Sequence, residues 1–121
     1  MRKRTVQILM GVTIATAMLL TAGAALAETF GVRATTSRTW NPKHRYITKG
    51  DTIKWRNPTG RRHNIRAYGG NWSYSTLLPA GTSRSRRFGS TGTYRYRCSL
   101  HSTLSNGACS GMCGIIHVFS G

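Results

Sequence analysis

The fold is decided by one stretch, Gly92-Thr93-Tyr94-Arg95-Tyr96-Arg97-Cys98-Ser99-Leu100-His101. From Thr93 to Cys98 the residue types alternate: Thr93, Arg95 and Arg97 fall on one face of an extended chain, and Tyr94, Tyr96 and Cys98 on the other. A strand of this kind puts its arginines in water and buries two rings and a thiol. Ile53 and Trp55 oppose Lys54 and Arg56 in the same way. Comparable short apolar or β-branched runs cover residues 29–35, 45–48, 52–56, 63–68, 83–88, 93–98 and 114–119. Between them stand turn residues: Asn41-Pro42, Lys49-Gly50-Asp51, Asn57-Pro58-Thr59-Gly60, Gly69-Gly70-Asn71, Pro79-Ala80-Gly81 and Ser90-Thr91-Gly92. No helical periodicity, internal repeat or linker interrupts the series. About seven short strands with frequent turns describe an all-β sandwich.

The chain has 121 residues, with 18 Lys and Arg against 2 Asp and Glu, a formal charge of +16. That length suits one small domain. With only Glu28 and Asp51 available, an acidic metal cage and two-carboxylate acid–base catalysis are both poorly supplied. So basic a balance points instead to an acidic partner, an anionic surface or nucleic acid. Residues 1–27 read as a secretory signal peptide: a basic start, an apolar run over residues 6–20, and Ala25-Leu26-Ala27 as the small-residue cleavage signal. The run carries Gln7 and several Thr and is short for a membrane span, which favours a cleaved leader over an anchor. Cleavage would leave residues 28–121, about +13 in charge, in a periplasmic, extracellular or cell-envelope setting. Export disfavours nucleic acid as the partner, and no RNA-binding aromatic motif is evident.

Export also changes how the three cysteines read, since unpaired thiols outside the cytosol tend to oxidise. Cys109 and Cys113 are near enough in sequence to pair, which leaves Cys98. Beyond that inward thiol comes His101. His63-Asn64 stands at the start of an earlier strand, and Met112 precedes the final one. One thiolate, two imidazoles and a thioether make a soft donor set suited to copper in both of its oxidation states. Each residue has a plainer role open to it: a surface His, a core Met, an inert buried thiol. Their joint order favours the metal.

Gly50-Asp51-Thr52-Ile53-Lys54-Trp55, His63-Asn64, Leu78-Pro79-Ala80-Gly81, the Gly92 to His101 stretch and Met112-Cys113-Gly114-Ile115-Ile116-His117-Val118 together resemble the plastocyanin/azurin family of small blue copper proteins, the cupredoxins. The resemblance covers about two-thirds of residues 28–121 in the same order, and strand-Cys-x-x-His is its specific part. It implies a Greek-key β-sandwich with one copper near one end. It further implies His63, Cys98 and His101 as equatorial ligands, Met112 as a weak axial ligand, and Asn64 as a residue tying the ligand loops together. The chain departs from the pattern in placing ten residues, 102–111, between His101 and Met112. A Cys109–Cys113 bond would staple that enlarged loop, and Gly107 and Gly111 would let it turn. The last segment also resembles the dinuclear purple copper segment of cytochrome oxidase subunit two, which would recruit Cys109, Cys113 and His117. That alternative leaves Cys98 and His101 without a purpose, puts Ser120 where the motif has Met, and sets His117 on the face opposite Ile116 and Val118. His44 falls outside both patterns and reads as structural or surface.

The leading expectation is therefore an exported, monomeric blue copper protein that carries single electrons between redox partners and turns over no substrate. Copper buffering or delivery is the second reading. Binding of a polyanion or the cell wall through Arg61-Arg62 and Arg84-Ser85-Arg86-Arg87 is the third. Arg61 and Arg62 directly precede His63, so part of the positive field is expected at the copper end, where it would steer an acidic redox partner.

Overall fold

The computed structural model describes residues 26–121; nearly all of the expected signal peptide lies outside them. The described chain is all strand and loop: β1 (Thr29–Ala34), β2 (Trp40–Asn41), β3 (His44–Thr48), β4 (Thr52–Arg56), β5 (His63–Tyr68), β6 (Ser75–Leu78), β7 (Ser83–Arg87), β8 (Gly92–Ser105) and β9 (Ala108–Phe119). They form two sheets, a four-stranded one in the order β2-β1-β4-β7 and a five-stranded one in the order β3-β9-β8-β5-β6. The chain passes repeatedly from one sheet to the other, so β1 and β4 pair in parallel, as do β3 and β9. These are the crossed connections of a Greek-key sandwich. No helix among the described residues is long and apolar enough to cross a membrane.

The expected alternation holds. Tyr94, Tyr96 and Cys98 are buried while Thr93 and Arg95 are exposed, and Ile53 and Trp55 lie inside with Lys54 and Arg56 outside. Trp55, Tyr96, Phe88, Ile53, Ile65, Leu78 and Ile116 fill the space between the sheets. Each large apolar side chain so enclosed contributes about 1.5–3 kcal/mol. Asp51, one of the two carboxylates, is used inside the fold: it accepts hydrogen bonds from the backbone N–H groups of Glu28 and Thr48, both at 2.9 Å, tying the β1 entry to the β3–β4 turn.

Three features differ from the sequence reading. Among the described residues there are nine strands rather than about seven: the two missed are β2, of two residues, and β6, an edge strand with Leu78 alone fully buried. Arg86, read from sequence as part of a basic run for binding a polyanion, packs inward: its guanidinium lies 5.1–5.6 Å from the ring centres of Trp72, Phe88 and Tyr74 and caps the core. Residues 102–111 are not a loop either. Residues 102–105 pair with residues 108–111 in a hairpin closed by Asn106 and Gly107, whose φ angles of 51° and 79° suit a two-residue turn twisted to match the strands.

Candidate metal centre

Between the paired positions Arg97↔Cys113 and Ser102↔Gly111 the β8–β9 ladder loses its register. Four residues of β8, Cys98 to His101, there face a single residue of β9, Met112. Such a bulge re-aims side chains that a regular strand would send to opposite faces. Here it lets Cys98 and His101 converge. β5, hydrogen-bonded to β8, supplies His63 from its first position. Cys98 and His63 are fully buried, and His101 is partly exposed.

The bulge depends on a glycine. Gly111 has φ +101°, and a Cβ there would stand 2.5 Å from the carbonyl oxygen of His101. Only an absent side chain lets β9 pass so close. β9 also coils tightly at this point: the Cα atoms of Cys109 and Cys113, four residues apart, are 6.2 Å from each other and joined by a disulfide. A regular strand would separate them by about 13 Å. The bonded pair thus brackets buried Met112 and fixes the chain on either side of it.

Three donor atoms meet in the bulge. His63 Nδ1 lies 3.2 Å from His101 Nδ1 and 3.7 Å from Cys98 Sγ, and Cys98 Sγ lies 3.5 Å from His101 Nδ1. A point equidistant from the three sits about 2.0 Å from each; first-row ions bind imidazole nitrogen at about 2.0–2.1 Å and thiolate at about 2.3 Å. One soft thiolate and two imidazoles therefore form a cluster that could hold a metal ion, and their chemistry fits copper.

Outside the triangle, a hydrogen-bonded chain sets the state of His63. Asn57 Nδ2 donates to the carbonyls of Arg61 (2.6 Å) and Leu78 (2.9 Å), which leaves Asn57 Oδ1 as an acceptor. The Thr59 hydroxyl donates to that oxygen at 2.6 Å. With its proton so placed, Thr59 Oγ1 can only accept from His63 Nε2, 3.3 Å away. His63 then carries its proton on Nε2 and turns the Nδ1 lone pair to the triangle. On the other side Asn64 clamps Ser99, donating from Nδ2 to Ser99 Oγ (2.8 Å) and accepting the Ser99 N–H at Oδ1 (2.7 Å). The Ser102 hydroxyl donates to the Cys98 carbonyl at 2.6 Å.

Burial, and then the positive neighbours His101, Arg61 and Arg38, push the pKa of His63 below the ordinary 6.5. His101 is lowered too, by burial first and then by Arg38 and Arg61. Both shifts favour the neutral ring, the form that binds metal. Asn57, Thr59 and Arg38 were not singled out as site residues from sequence. Asn57 and Thr59 look like any Asn-Pro-Thr-Gly turn, and Arg38 is far from the ligands along the chain.

The geometry does not favour the dinuclear alternative. Cys109 and Cys113 are bonded to each other, and His117 lies on the outer face of the five-stranded sheet beside His44. Neither thiolate is free to bridge metals.

No protein-family model matches the chain. No curated protein matches it either. Among solved structures it is similar to a purple cupredoxin from Nitrosopumilus maritimus, with a TM-score of 0.57 and 20% identity over 73% of this chain and 97% of that one. It is similar to a reduced amicyanin variant, with a TM-score of 0.62 and 20% identity over 80% of this chain and 87% of that one. The fold is that of the cupredoxins. A copper-containing nitrite reductase from Thermus scotoductus also matches, with a TM-score of 0.62 and 24% identity; 81% of this chain covers only 23% of that enzyme. The same fold is thus also found as part of a larger copper-containing enzyme, and the donor triangle occupies a bulge between two of its strands.

Proposed function

We propose that the chain is an exported mononuclear blue copper protein that carries single electrons between redox partners. The observation that carries this reading is the buried triangle of His63 Nδ1, Cys98 Sγ and His101 Nδ1, with Met112 alone facing the same bulge. His63, Cys98 and His101 would hold the ion, with Met112 as a further, weaker ligand. Bound copper would supply a one-electron couple between its two oxidation states. The chain's own contribution is fixity. Thr59 holds the His63 ring in one tautomer, Asn64 ties the two ligand segments together, and the disulfide restrains Met112. A donor set held this firmly changes little between oxidation states, which favours fast exchange.

Partly exposed His101 and the neighbouring Leu100 offer an approach to the site, and the charges of Arg38 and Arg61 bear on it. We read the partner as a redox protein with an acidic surface, the carrier as a monomer, and the setting as the periplasm or cell envelope, consistent with the leader over residues 1–27. No substrate turnover belongs to this reading, in contrast to the nitrite reductase.

Adding Cu(II) to the purified protein and recording visible and EPR spectra tests it. An intense thiolate-to-copper band with one copper at this site, lost in Cys98→Ser, is expected. Absence of that band, or its survival in Cys98→Ser, would overturn the reading. Irreversible reduction, with rapid surrender of copper to a chelator, would favour delivery over electron transfer.

A further inference from the structure

The chain has four histidines, and the triangle uses two. The others, His44 and His117, are brought together on the outer face of the five-stranded sheet by the parallel pairing of β3 with β9. His44 Nδ1 lies 3.0 Å from His117 Nε2. The ring centres are 5.2 Å apart and the planes differ by 15°. That is nearly as far apart as the centres can lie for such an N···N contact, so both nitrogens sit close to the line joining them. The two rings thus face each other nitrogen to nitrogen, end on. His117 is stacked on Tyr46, the residue opposite it in the ladder, with centres 4.5 Å apart and planes within 9°. His44 is exposed at the start of β3, and His117 is half-buried.

We propose that His44 and His117 form a second copper site, on the sheet surface, that takes Cu(I) between two imidazole nitrogens in linear two-coordination. A neutral imidazole has one N–H and one lone pair. At present one ring donates its N–H to the other; on binding, both rings present lone pairs inward and both protons stand on the outward nitrogens, with no net proton released. Two bonds of about 2.0 Å would open the N···N distance to about 4 Å along the existing line. His44, exposed at the strand end, can take up that shift, while Tyr46 holds His117 in place. End-on rings suit a two-coordinate ion; a square or tetrahedral ion needs lone pairs that converge at an angle. Charge points the same way. Arg95 acts on His117, whose pKa is lowered by burial, then by His44 and Arg95, so a monovalent ion meets less repulsion there than a divalent one.

Anaerobic titration with Cu(I) against a chromophoric Cu(I) chelator, using the purified protein and single variants, tests the proposal. Two equivalents are expected for the wild type and one each for His44→Gln and His117→Gln, both of which should keep the thiolate-to-copper band after oxidation. Cys98→Ser should lose that band yet still take one equivalent. In ¹⁵N NMR, the second equivalent should shift the His44 Nδ1 and His117 Nε2 signals. A wild type that takes one equivalent, lost in Cys98→Ser, would overturn the surface site and leave the buried one intact. So would a second equivalent that survives both histidine variants. Because the band reports the buried site and the histidine variants report the surface site, the two readings fail separately.

Discussion

Thr59 offers a direct test of how the site is held. Its hydroxyl lies between Asn57 Oδ1 (2.6 Å) and His63 Nε2 (3.3 Å), and the residue is buried. Thr59→Val keeps the shape and removes the hydroxyl. Asn57 Oδ1 retains the N–H of Thr59 at 3.0 Å, so it is not left without a partner. His63 Nε2–H loses its hydrogen-bond partner outside the triangle, and the Arg61 N–H loses the hydroxyl oxygen to which it donates at 3.2 Å. An unsatisfied buried donor costs about 1–3 kcal/mol, and the length of the existing bond argues for the lower half of that range. The free ring can also flip its tautomer and point a proton at the triangle, so copper affinity should fall by about 10–100-fold, the usual effect of removing a ligand's outer partner. Denaturant unfolding of the metal-free protein, copper competition against a chelator and ¹⁵N shifts of His63 would read the three effects. Thr59→Ser should restore all of them. If Thr59→Val bound copper within about twofold of wild type with His63 still protonated on Nε2, the hydrogen-bonded chain would have no positioning role.

Three further outcomes follow from the same geometry. Gly111→Ala should destabilise the fold by about 1–3 kcal/mol in denaturant unfolding, since its Cβ would meet the His101 carbonyl at 2.5 Å in a backbone conformation that L residues avoid, and the absorption band should shift with it. Reducing Cys109–Cys113 should cost about 2 kcal/mol by loop-closure entropy, and the spectrum should change if Met112 then moves. The metal-free protein should lose stability on acidification: burial first, with neighbouring positive groups, holds His63, His101 and His117 below 6.5, so the unfolded chain takes up protons first. This contribution is complete above about pH 6.5 and declines as pH falls toward the folded values, which urea titrations at pH 8, 6.5 and 5 would follow.

What was legible from sequence divides along physical lines. The alternation from Thr93 to Cys98 reports directly on which side chains are inside, because a strand's period is set by its backbone, and it places the thiol without any knowledge of the fold. His101 comes from the Cys-x-x-His of the resemblance, since three residues along a regular strand would put it on the face opposite Cys98 and only the bulge turns it inward. His63 required the order of a known family, since its nearness to Cys98 is made by the β5–β8 pairing. The hairpin at Asn106-Gly107 carried a usable turn signal, but its flanks, Ser-Thr-Leu-Ser and Ala-Cys-Ser-Gly, are too polar to announce strands. Those strands are held by the bulge and the disulfide rather than by a buried face. Asn57 and Thr59 were legible as a turn and not as a support for His63, because their function lies in a chain of hydrogen bonds that no linear spacing encodes.

Charge is where sequence and structure together say most. A formal +16 suggests a uniform cationic shell, yet the structure sorts the charges by task. Arg86 covers three aromatic rings, and Arg95 acts on the surface histidine pair. Arg38 and Arg61 act on His63 and His101 and so mark the metal end. If those two arginines steer an acidic partner, their effect must fade once the screening length shrinks from about 10 Å at 0.1 M salt to about 3 Å at 1 M. On a carboxylate-terminated electrode the wild-type exchange rate should therefore drop as salt rises, and the Arg38→Gln/Arg61→Gln variant should be slower at low salt and flatter across the series. A matched Lys54→Gln/Arg87→Gln variant, altered on the outer face of the four-stranded sheet, separates local steering from net charge. Equal slopes for the two double variants would mean that total charge acts without regard to place, and the assignment of Arg38 and Arg61 to docking would fall.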